Sequence, residues 1–455
     1  MIQKIVWCAS FVFTVFLSQQ VQAQTQSYLD LTLDRAIAVT IKNNRDISNA
    51  VEETMKADHQ ITEATSAAYP QINGSWDYER NLKPMVFVIS MPDSSGNMQK
   101  SRLKVGTDNT MNLGANLTQP LYVGGKVGTA LKAAKIYKQM AMETLATVKQ
   151  NAVAGVAQVF NNALLAKEML SISKESLAQG EKHLKNVENL HAAGRATEFD
   201  LLRARVQVAN MKPNLLDTEN QVTVTQLKLK EIMGVSPESP ISISGTFSEP
   251  DTTLFSLASV QTAVDNRPDL KASEHNVDLY QKSIKIARGD FLPTLTAGTT
   301  FAYAGNFDLF RYDSADWNPF WTANVTLSVP IFSGFRNSSK YRQAKVDFYK
   351  AKTDFRKKYD AVYIEVREAE LKLRKAVKSI ESQRMNIQEA ERALSMAESL
   401  YSNGKATQLD VLDAQLALKV ARTNMAGALF EGTIAELSLK KSLGIINIDS
   451  HERSR

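Results

Sequence analysis

The chain has a single cysteine, Cys8, among its 455 residues. It lies in an N-terminal segment with the pattern of a secretory signal, in which Lys4 precedes an apolar stretch and Val21-Gln-Ala23 supplies a small-residue cleavage site. We therefore expect residues 1–23 to be a signal peptide that is removed. The mature chain would then contain no cysteine, which excludes disulfide bonds and thiol chemistry.

Prolines, long apolar runs and charge of one sign are scarce as well. Only 12 prolines interrupt the chain, which favours long helices over many small domains. No later segment approaches the ~20 continuous apolar residues of a membrane-spanning helix. The formal net charge of +6 arises from interspersed acids and bases, without the basic stripe that nucleic-acid binding requires.

Residues typical of metal and catalytic sites are equally sparse. The five histidines are scattered, and no two of them have the spacing of paired metal ligands. No Ser-His-Asp or Cys-His combination and no phosphate-binding glycine loop has a convincing candidate. We therefore expect no enzyme, no metal site and no cofactor.

The chain instead contains a long internal repeat. The segment from His191 to Leu202 returns from Tyr401 to Leu412, with Gly, Thr and Asp at matching places. A repeat of this length is a structural half rather than a solenoid unit of about 20–50 residues. We predict a first repeat over 24–235, an inter-repeat segment over 236–255, a second repeat over 256–445 and a C-terminal tail over 446–455.

Each repeat carries a long proline-free stretch with apolar residues three and four positions apart, typical of helices that wrap around neighbours. At ~1.5 Å per residue these helices would be roughly 100 Å long. Glycines at 194 and 404 end them, and a threonine followed three residues later by an acid begins each returning helix. The returning helices are predicted at about 198–233 and 408–443. Single helices at about 33–68 and 257–290 are predicted to precede the strands.

Four segments alternate between apolar and small or polar residues, at about 71–80, 110–119, 294–304 and 321–330. Each has close to the ~9–11 residues of a tilted membrane strand. A barrel with lipid outside and water inside would need this alternation, and a soluble sheet with one buried face would need it too. Two hairpins cannot close a barrel alone, so the membrane interpretation predicts that several copies associate.

These features resemble the TolC family of outer-membrane efflux and secretion channels. The similarity covers essentially the whole mature chain. It is carried by the strand-to-helix turns at 120–125 and 330–335, the two Gly-x-x-Thr-x-x-Asp returns and the sequence Arg267-Pro-Asp269. It implies a mostly α fold with a transmembrane β part. In a homotrimer, each chain would give four strands to one twelve-stranded β-barrel and its helices to a long periplasmic α-helical barrel. The inter-repeat segment and the chain ends would form an equatorial belt.

The resemblance also implies a function and partners. The protein would be the passive exit duct of a tripartite efflux pump or a type I secretion system, in contact with outer-membrane lipid. A periplasmic adaptor and an inner-membrane transporter of the RND or ABC type would open it by docking. The alternative is a periplasmic coiled-coil adaptor or scaffold without a pore. The four alternating strands favour the channel.

The candidate functional residues lie around the two returns. Asp410 and Asp413 are three apart, hence on one helix face. The resemblance implies acidic rings at the channel entrance; alternatively, Asp410 is the acid of a capping box and Asp413 a surface charge. It also implies that Tyr401 bonds Asp200 to hold the tip shut, unless Tyr401 simply fills a core position. Ala406, with Lys405 beside it, stands where the family archetype has a tethering arginine, which predicts a gate that is looser or held by different contacts.

Adaptor docking is expected at the two exposed returns, which could also be ordinary helical turns. The residues concerned are Gly194, Arg195, Thr197, Gly404, Lys405 and Thr407.

Overall fold

Long helices and one exposed sheet make up the computed structural model of the chain, which describes residues 29–446 apart from 93, 95, 310–312, 314 and 315. The predicted signal peptide and all but the first residue of the predicted tail lie outside these residues. The helices are α1 (Leu33–Asn43), α2 (Arg45–Ser66), α3 (Lys126–Ala192), α4 (Glu198–Met233), α5 (Leu254–Leu257), α6 (Val260–Asn266), α7 (Pro268–Gly289), α8 (Arg336–Ser402) and α9 (Gln408–Ser442). The strands are β1 (Leu29–Leu31), β2 (Gln71–Arg80), β3 (Met85–Pro92), β4 (Met98–Val105), β5 (Asn109–Val123), β6 (Ile241–Ile243), β7 (Thr294–Phe307) and β8 (Trp317–Ser328).

The two longest helices, α3 and α8, have 67 residues each, which corresponds to about 100 Å. Each packs antiparallel against the helix that follows it, so that α3–α4 and α8–α9 form two helical hairpins. The seven-residue period along α8 buries Val362, Val366, Ala369, Leu373, Ala376 and Ile380. All of these except Ile380 pack with Leu439 and Leu443 in one apolar cluster. In the part of the chain that the structure describes, no helix is long and apolar enough to span a membrane.

The shorter helices differ from the prediction. The single helix expected at 33–68 is wrong, because Asn44 adopts an extended conformation and its side chain accepts hydrogen bonds from the first backbone N–H groups of α2. The single helix expected at 257–290 is also wrong. The short α5 ends at Leu257, where this helix was expected to begin, and the rest is divided into α6 and α7 where Pro268 begins a new helix. A proline is well placed in a first helical turn but cannot donate the hydrogen bond of a helix interior.

One antiparallel sheet contains β2, β5, β7 and β8 in that order. The hairpins expected from the alternation are therefore joined, because β5 and β7 pair along their whole length. Helices precede or follow the strands at one end of the sheet only, so the loops 81–108 and 308–316 lie at the opposite end. Within the described residues, β2 and β8 each have one edge without a partner strand.

The long loop between β2 and β5 contains a hairpin of its own, which the sequence analysis did not predict. Strands β3 and β4 pair over eight residues, from Met85 opposite Val105 to Pro92 opposite Met98. Apolar residues of β3 lie on both faces, so the period of two that marks a half-buried strand is missing. Lys104 binds Asp108 and Asp308, both at 2.7 Å, and holds the base of the hairpin to the end of β7.

The segment between the two helical hairpins packs against their middle. Its strand β6 pairs in parallel with β1 near the N-terminus, with Leu29 opposite Ile241. Further along, the Phe247 ring meets Phe430 of α9 edge-on at 6.3 Å. These contacts place the inter-repeat segment halfway along the helices.

Candidate channel entrance at the helical tips

Both helical hairpins turn in the same way at their tips. Gly194 and Gly404 have φ values of 71° and 70°, a conformation that costs other L-residues about 1–2 kcal/mol. The amide of Arg195 donates to the carbonyl of Leu190 at 2.8 Å, and the amide of Lys405 donates to that of Leu400 at 2.9 Å. These bonds satisfy the last carbonyls of α3 and α8. The predicted turns are thus hydrogen-bonded, exposed structures at one end of the molecule.

The returning helices begin with the two predicted capping boxes. The Asp410 carboxylate accepts from the backbone N–H and the hydroxyl of Thr407, both at 2.7 Å. Asp200 makes the same pair of bonds with Thr197, at 3.1 and 2.6 Å. The side-chain and backbone bonds from Thr407 lower the pKa of Asp410. Asp410 is therefore an exposed, ionised carboxylate at the very end of the hairpin.

Asp413 is also exposed and lies one turn beyond Asp410 on α9. Between them the chain turns Val411 and Leu412 inward, and both are buried. The two carboxylates thus lie on the outer, solvent-exposed face of α9, where an ion or another protein could contact them. Their assignment to entrance rings stays a prediction.

Tyr401 lies at the last turn of α8 and packs against the ring of His183 on α3, with a centroid distance of 5.6 Å. Burial, and then the charge of Asp200, raise the pKa of its hydroxyl. Tyr401 and Asp200 are therefore electrostatically coupled, although their side chains share no hydrogen bond within the described residues. The tether between them stays a prediction.

Contacts between the two tips involve residues that the sequence analysis did not single out. Gln408 Nε2 donates to the backbone carbonyl of Asp200 at 3.0 Å and so joins α9 to α4. His183, Gln408 and Gln415 are buried, with 8%, 4% and 7% of their surface exposed. The signal in the sequence is modest: Gln408 and Gln415 are seven apart, a spacing that otherwise holds apolar core residues.

These three side chains contain the buried N and O atoms that lack a hydrogen-bond partner in the described part of the chain. They are His183 Nε2, Gln408 Oε1 and both terminal atoms of Gln415. Each buried polar atom without a partner costs about 1–3 kcal/mol. We call the set His183, Asp200, Tyr401, Gln408 and Gln415 the tip joint. It is a weakly stabilised contact between two otherwise well-packed hairpins.

The residues expected to meet an adaptor lie together on the outside of the tips. Gly194, Arg195, Gly404 and Lys405 are all exposed, as are the capping threonines. Two cations therefore stand at the end of the molecule beside the carboxylates described above. Among the described residues, no three His, Cys, Asp or Glu side chains are grouped as metal ligands would be.

Comparison with known proteins identifies the family. The model of the outer membrane efflux protein family matches residues 36–235 and 259–445. The chain belongs to the outer membrane efflux protein family. The resemblance to the TolC family is thereby confirmed, and the two matched blocks contain both helical hairpins and all four strands of the large sheet.

Similar members of the family support the same fold. The cation efflux system protein CusC of Escherichia coli K12 is 24% identical over 422 residues, covering 92% of this chain and 87% of CusC. TolC of Vibrio cholerae O1 is 23% identical over 409 residues, covering 89% of each chain. A crystal structure of CusC superposes with a TM-score of 0.75 at 22% identity, covering 92% of this chain and 93% of that one. The protein is thus an outer-membrane efflux protein, and the alternative of a periplasmic adaptor is wrong.

Proposed function

We propose that three copies of this chain form one passive exit duct through the outer membrane and across the periplasm. The observation that carries the proposal is the open sheet of β2, β5, β7 and β8. Unpaired strand edges in lipid cost several kcal/mol for each unmet backbone group, and four strands are too few to close a barrel. Pairing β8 of one copy with β2 of the next would close a twelve-stranded barrel.

The side chains of the sheet fit a lipid-facing exterior. Register places Trp76 opposite Leu113 and Phe301 opposite Trp321. Trp76 and Trp321 are 65% and 77% exposed in the single chain. Exposing a patch of large aromatic side chains of this kind to water is unfavourable. Asn, Thr and Ser alternate with them on the other face. Lipid outside and an aqueous bore inside satisfy both faces.

The helical hairpins would line the periplasmic part of the duct. The predicted repeats, 24–235 and 256–445, would be quasi-equivalent segments of one helical barrel, with the 236–255 segment and the chain ends as its belt. Helices of about 100 Å are long enough to bring the tips close to an inner-membrane transporter of the RND or ABC type. A periplasmic adaptor would dock on the exposed returns with Arg195 and Lys405.

At the tip, Asp410 and Asp413 would form stacked acidic rings around the entrance. Three copies of two exposed carboxylates concentrate negative charge at a narrow mouth and so favour cations. Movement through the duct would be driven by the pump, without catalysis by this chain. CusC belongs to a cation efflux system, and a cation is therefore one candidate cargo for the present chain.

The proposal is tested with the signal-free protein in detergent and in planar lipid bilayers. We expect a trimer by native mass spectrometry and single channels that prefer cations. Replacing both entrance carboxylates (Asp410→Asn with Asp413→Asn) should remove the cation preference and raise the concentration of a trivalent cation needed for block at least tenfold. The matched control, Asp217→Asn on α4, should leave the cation preference and the blocking concentration unchanged. A monomer that is stable in buffer without detergent would contradict the proposal.

A further inference from the structure

One face of α9 is turned toward the first helical hairpin. Gln408, Gln415 and Arg422 are seven residues apart, which is two helical turns, so they lie on the same face. Gln408 contacts Asp200 at the start of α4, and Arg422 forms an ion pair with Glu175 of α3. Gln415, between them, therefore faces the same hairpin. Opening the tips would separate this face from α3 and α4.

His183 is the titratable member of the tip joint that is most deeply enclosed. The residue has 8% of its surface exposed, its Nε2 lacks a hydrogen-bond partner within the described residues, and its ring lies against Tyr401. Burial is the one cause that lowers its pKa below the ordinary value of 6.5. The joint as folded therefore accommodates the neutral imidazole and disfavours the protonated one.

Within the described residues, His183 has no ion-pair partner. The packed helices carry charged and titratable groups near the joint, among them Lys182 and Glu188 on α3, Asp200 and Arg205 on α4, Glu398 and Tyr401 on α8, and Asp413 on α9. Of these, Tyr401 lies against the ring, and the charge of Asp200 acts on Tyr401. Glu188 approaches Arg205 at 3.8 Å, and within the described residues no carboxylate forms an ion pair with His183. Burial disfavours a charge on this ring, and parting of the two hairpins would let water stabilise it.

We propose that His183 makes the channel entrance acid-sensitive: its protonation loosens the tip joint and favours the open tip. The inference rests on the proposed function as an exit duct and adds regulation to it. External acid would reach the site directly, because the tip lies in the periplasm and protons equilibrate through outer-membrane pores. Acidification of the periplasm would thus lower the free energy that adaptor docking must supply to open the tip.

The sign and range of the effect follow from proton linkage. Above pH 6.5 the imidazole is neutral whether buried or hydrated, so the equilibrium between closed and open tips does not depend on it. Below pH 6.5 the open tip binds a proton that the closed tip rejects. The open-to-closed ratio then rises by up to about tenfold per pH unit for each protomer, until the lowered pKa is reached. Asp410 stays ionised throughout, since Thr407 lowers its pKa.

Single-channel recording at pH 7.5, 6.5 and 5.5 tests the proposal. We expect the open probability of the wild-type trimer to rise at least tenfold between pH 7.5 and 5.5. His183→Gln keeps a polar side chain of similar size that does not titrate, so the open probability of this variant should not change with pH over this range. His183→Phe, which removes the unpartnered nitrogen, should also be flat. The matched control is His191→Gln, at the same tip but half-exposed, which should respond as wild type does.

A second measurement does not require conduction. The mature chain has no cysteine, so a spin label on Asn403→Cys reports the spacing of the three tips in detergent. We expect this spacing to widen at pH 5.5 in the wild-type background and to stay constant with His183→Gln. A pH response that survives in His183→Gln, or no response in wild type, would overturn the proposal. Absence of conductance at every pH would instead count against the duct, and the spin-label spacing would still decide the role of His183.

Discussion

The two halves of the chain fasten their shorter helices to the ends of the helical hairpins by different means. In the first half, Asn44 Nδ2 donates to the carbonyl of Ile232 near the end of α4, at 3.4 Å. In the second half, Arg267 Nη1 donates to the carbonyl of Ser442 at the end of α9, at 3.3 Å. The same contact with the end of a returning helix is therefore made by a neutral amide in one half and by a cation in the other.

The cation is held by carboxylates on α7 and on α8. Arg267 Nε and Nη2 each donate to one oxygen of Asp269 at 3.0 Å, and Nη1 also reaches Glu365 on α8. Burial alone would raise the pKa of Asp269, but Arg267 and Lys358 hold it below its ordinary value. Asn44, in contrast, caps α2 through Oδ1. The comparison shows that backbone geometry is what the halves share, while different side chains satisfy it.

The largest effect is expected from a substitution that removes the ion pair of the second half. Arg267→Ala leaves the half-buried Asp269 without its main partner, which should cost about 3 kcal/mol of unfolding free energy. Asn44→Ala removes a helix cap and should cost about 1 kcal/mol. Urea unfolding of the detergent-solubilised protein, followed by helical circular dichroism, measures both. Equal losses would show that the ion pair adds nothing to this contact.

A smaller effect is expected where the halves are alike. Gly194→Ala and Gly404→Ala each force a residue with a Cβ into the left-handed conformation, at about 1–2 kcal/mol. The two losses should agree within experimental error, since both tips have the same turn. Gly427→Ala in the middle of α9, with open space around its Cα, is the control and should be neutral or stabilising. A large difference between the two tips would mean that one of them carries additional contacts.

The smallest effect concerns a residue found at one tip only. If the Tyr401 hydroxyl bonds Asp200 in the assembled channel, Tyr401→Phe should raise single-channel conductance by a factor of about 2, because one hydrogen bond contributes about 1 kcal/mol and the gate opens only in part. The phenyl ring would still pack on His183. Tyr359→Phe, on the same helix far from the tip, serves as control. Unchanged conductance in Tyr401→Phe would rule out the tether.

Sequence reasoning located the features that local signals specify. The turns at Gly194 and Gly404 and the capping boxes of Thr197 and Thr407 depend on residues a few positions apart, and the structure has them where they were predicted. The long helices follow from a period that persists for many turns. The four strands of the sheet lie close to where the alternation indicated, although β5 and β7 extend further and β8 begins earlier, at Trp317, and ends at Ser328.

Several of the misses share a physical cause. Asn44 interrupts a periodic segment without any glycine or proline, so only its contact with Ile232 and its cap reveal the break. The pairing of β1 with β6 depends on residues far apart in the chain. The burial of His183 and Gln415 depends on which helices meet at the tips, and polar side chains give no periodic signal of their own. Such features arise from tertiary contacts, which a local pattern does not encode.

The central pairing of β5 with β7 has a consequence for how the protein is made. These strands lie on either side of α3, α4 and the inter-repeat segment, so β5 cannot pair with β7 until the chain has been exported as far as Phe307. Pairings between distant segments form slowly. The first helical hairpin, α3–α4, lies between the two strands and can fold before β7 is exported. Newly exported chains should therefore pass through an intermediate in which the first helical hairpin is folded and the apolar strands are still unpaired and exposed. Periplasmic chaperones would be expected to bind such an intermediate.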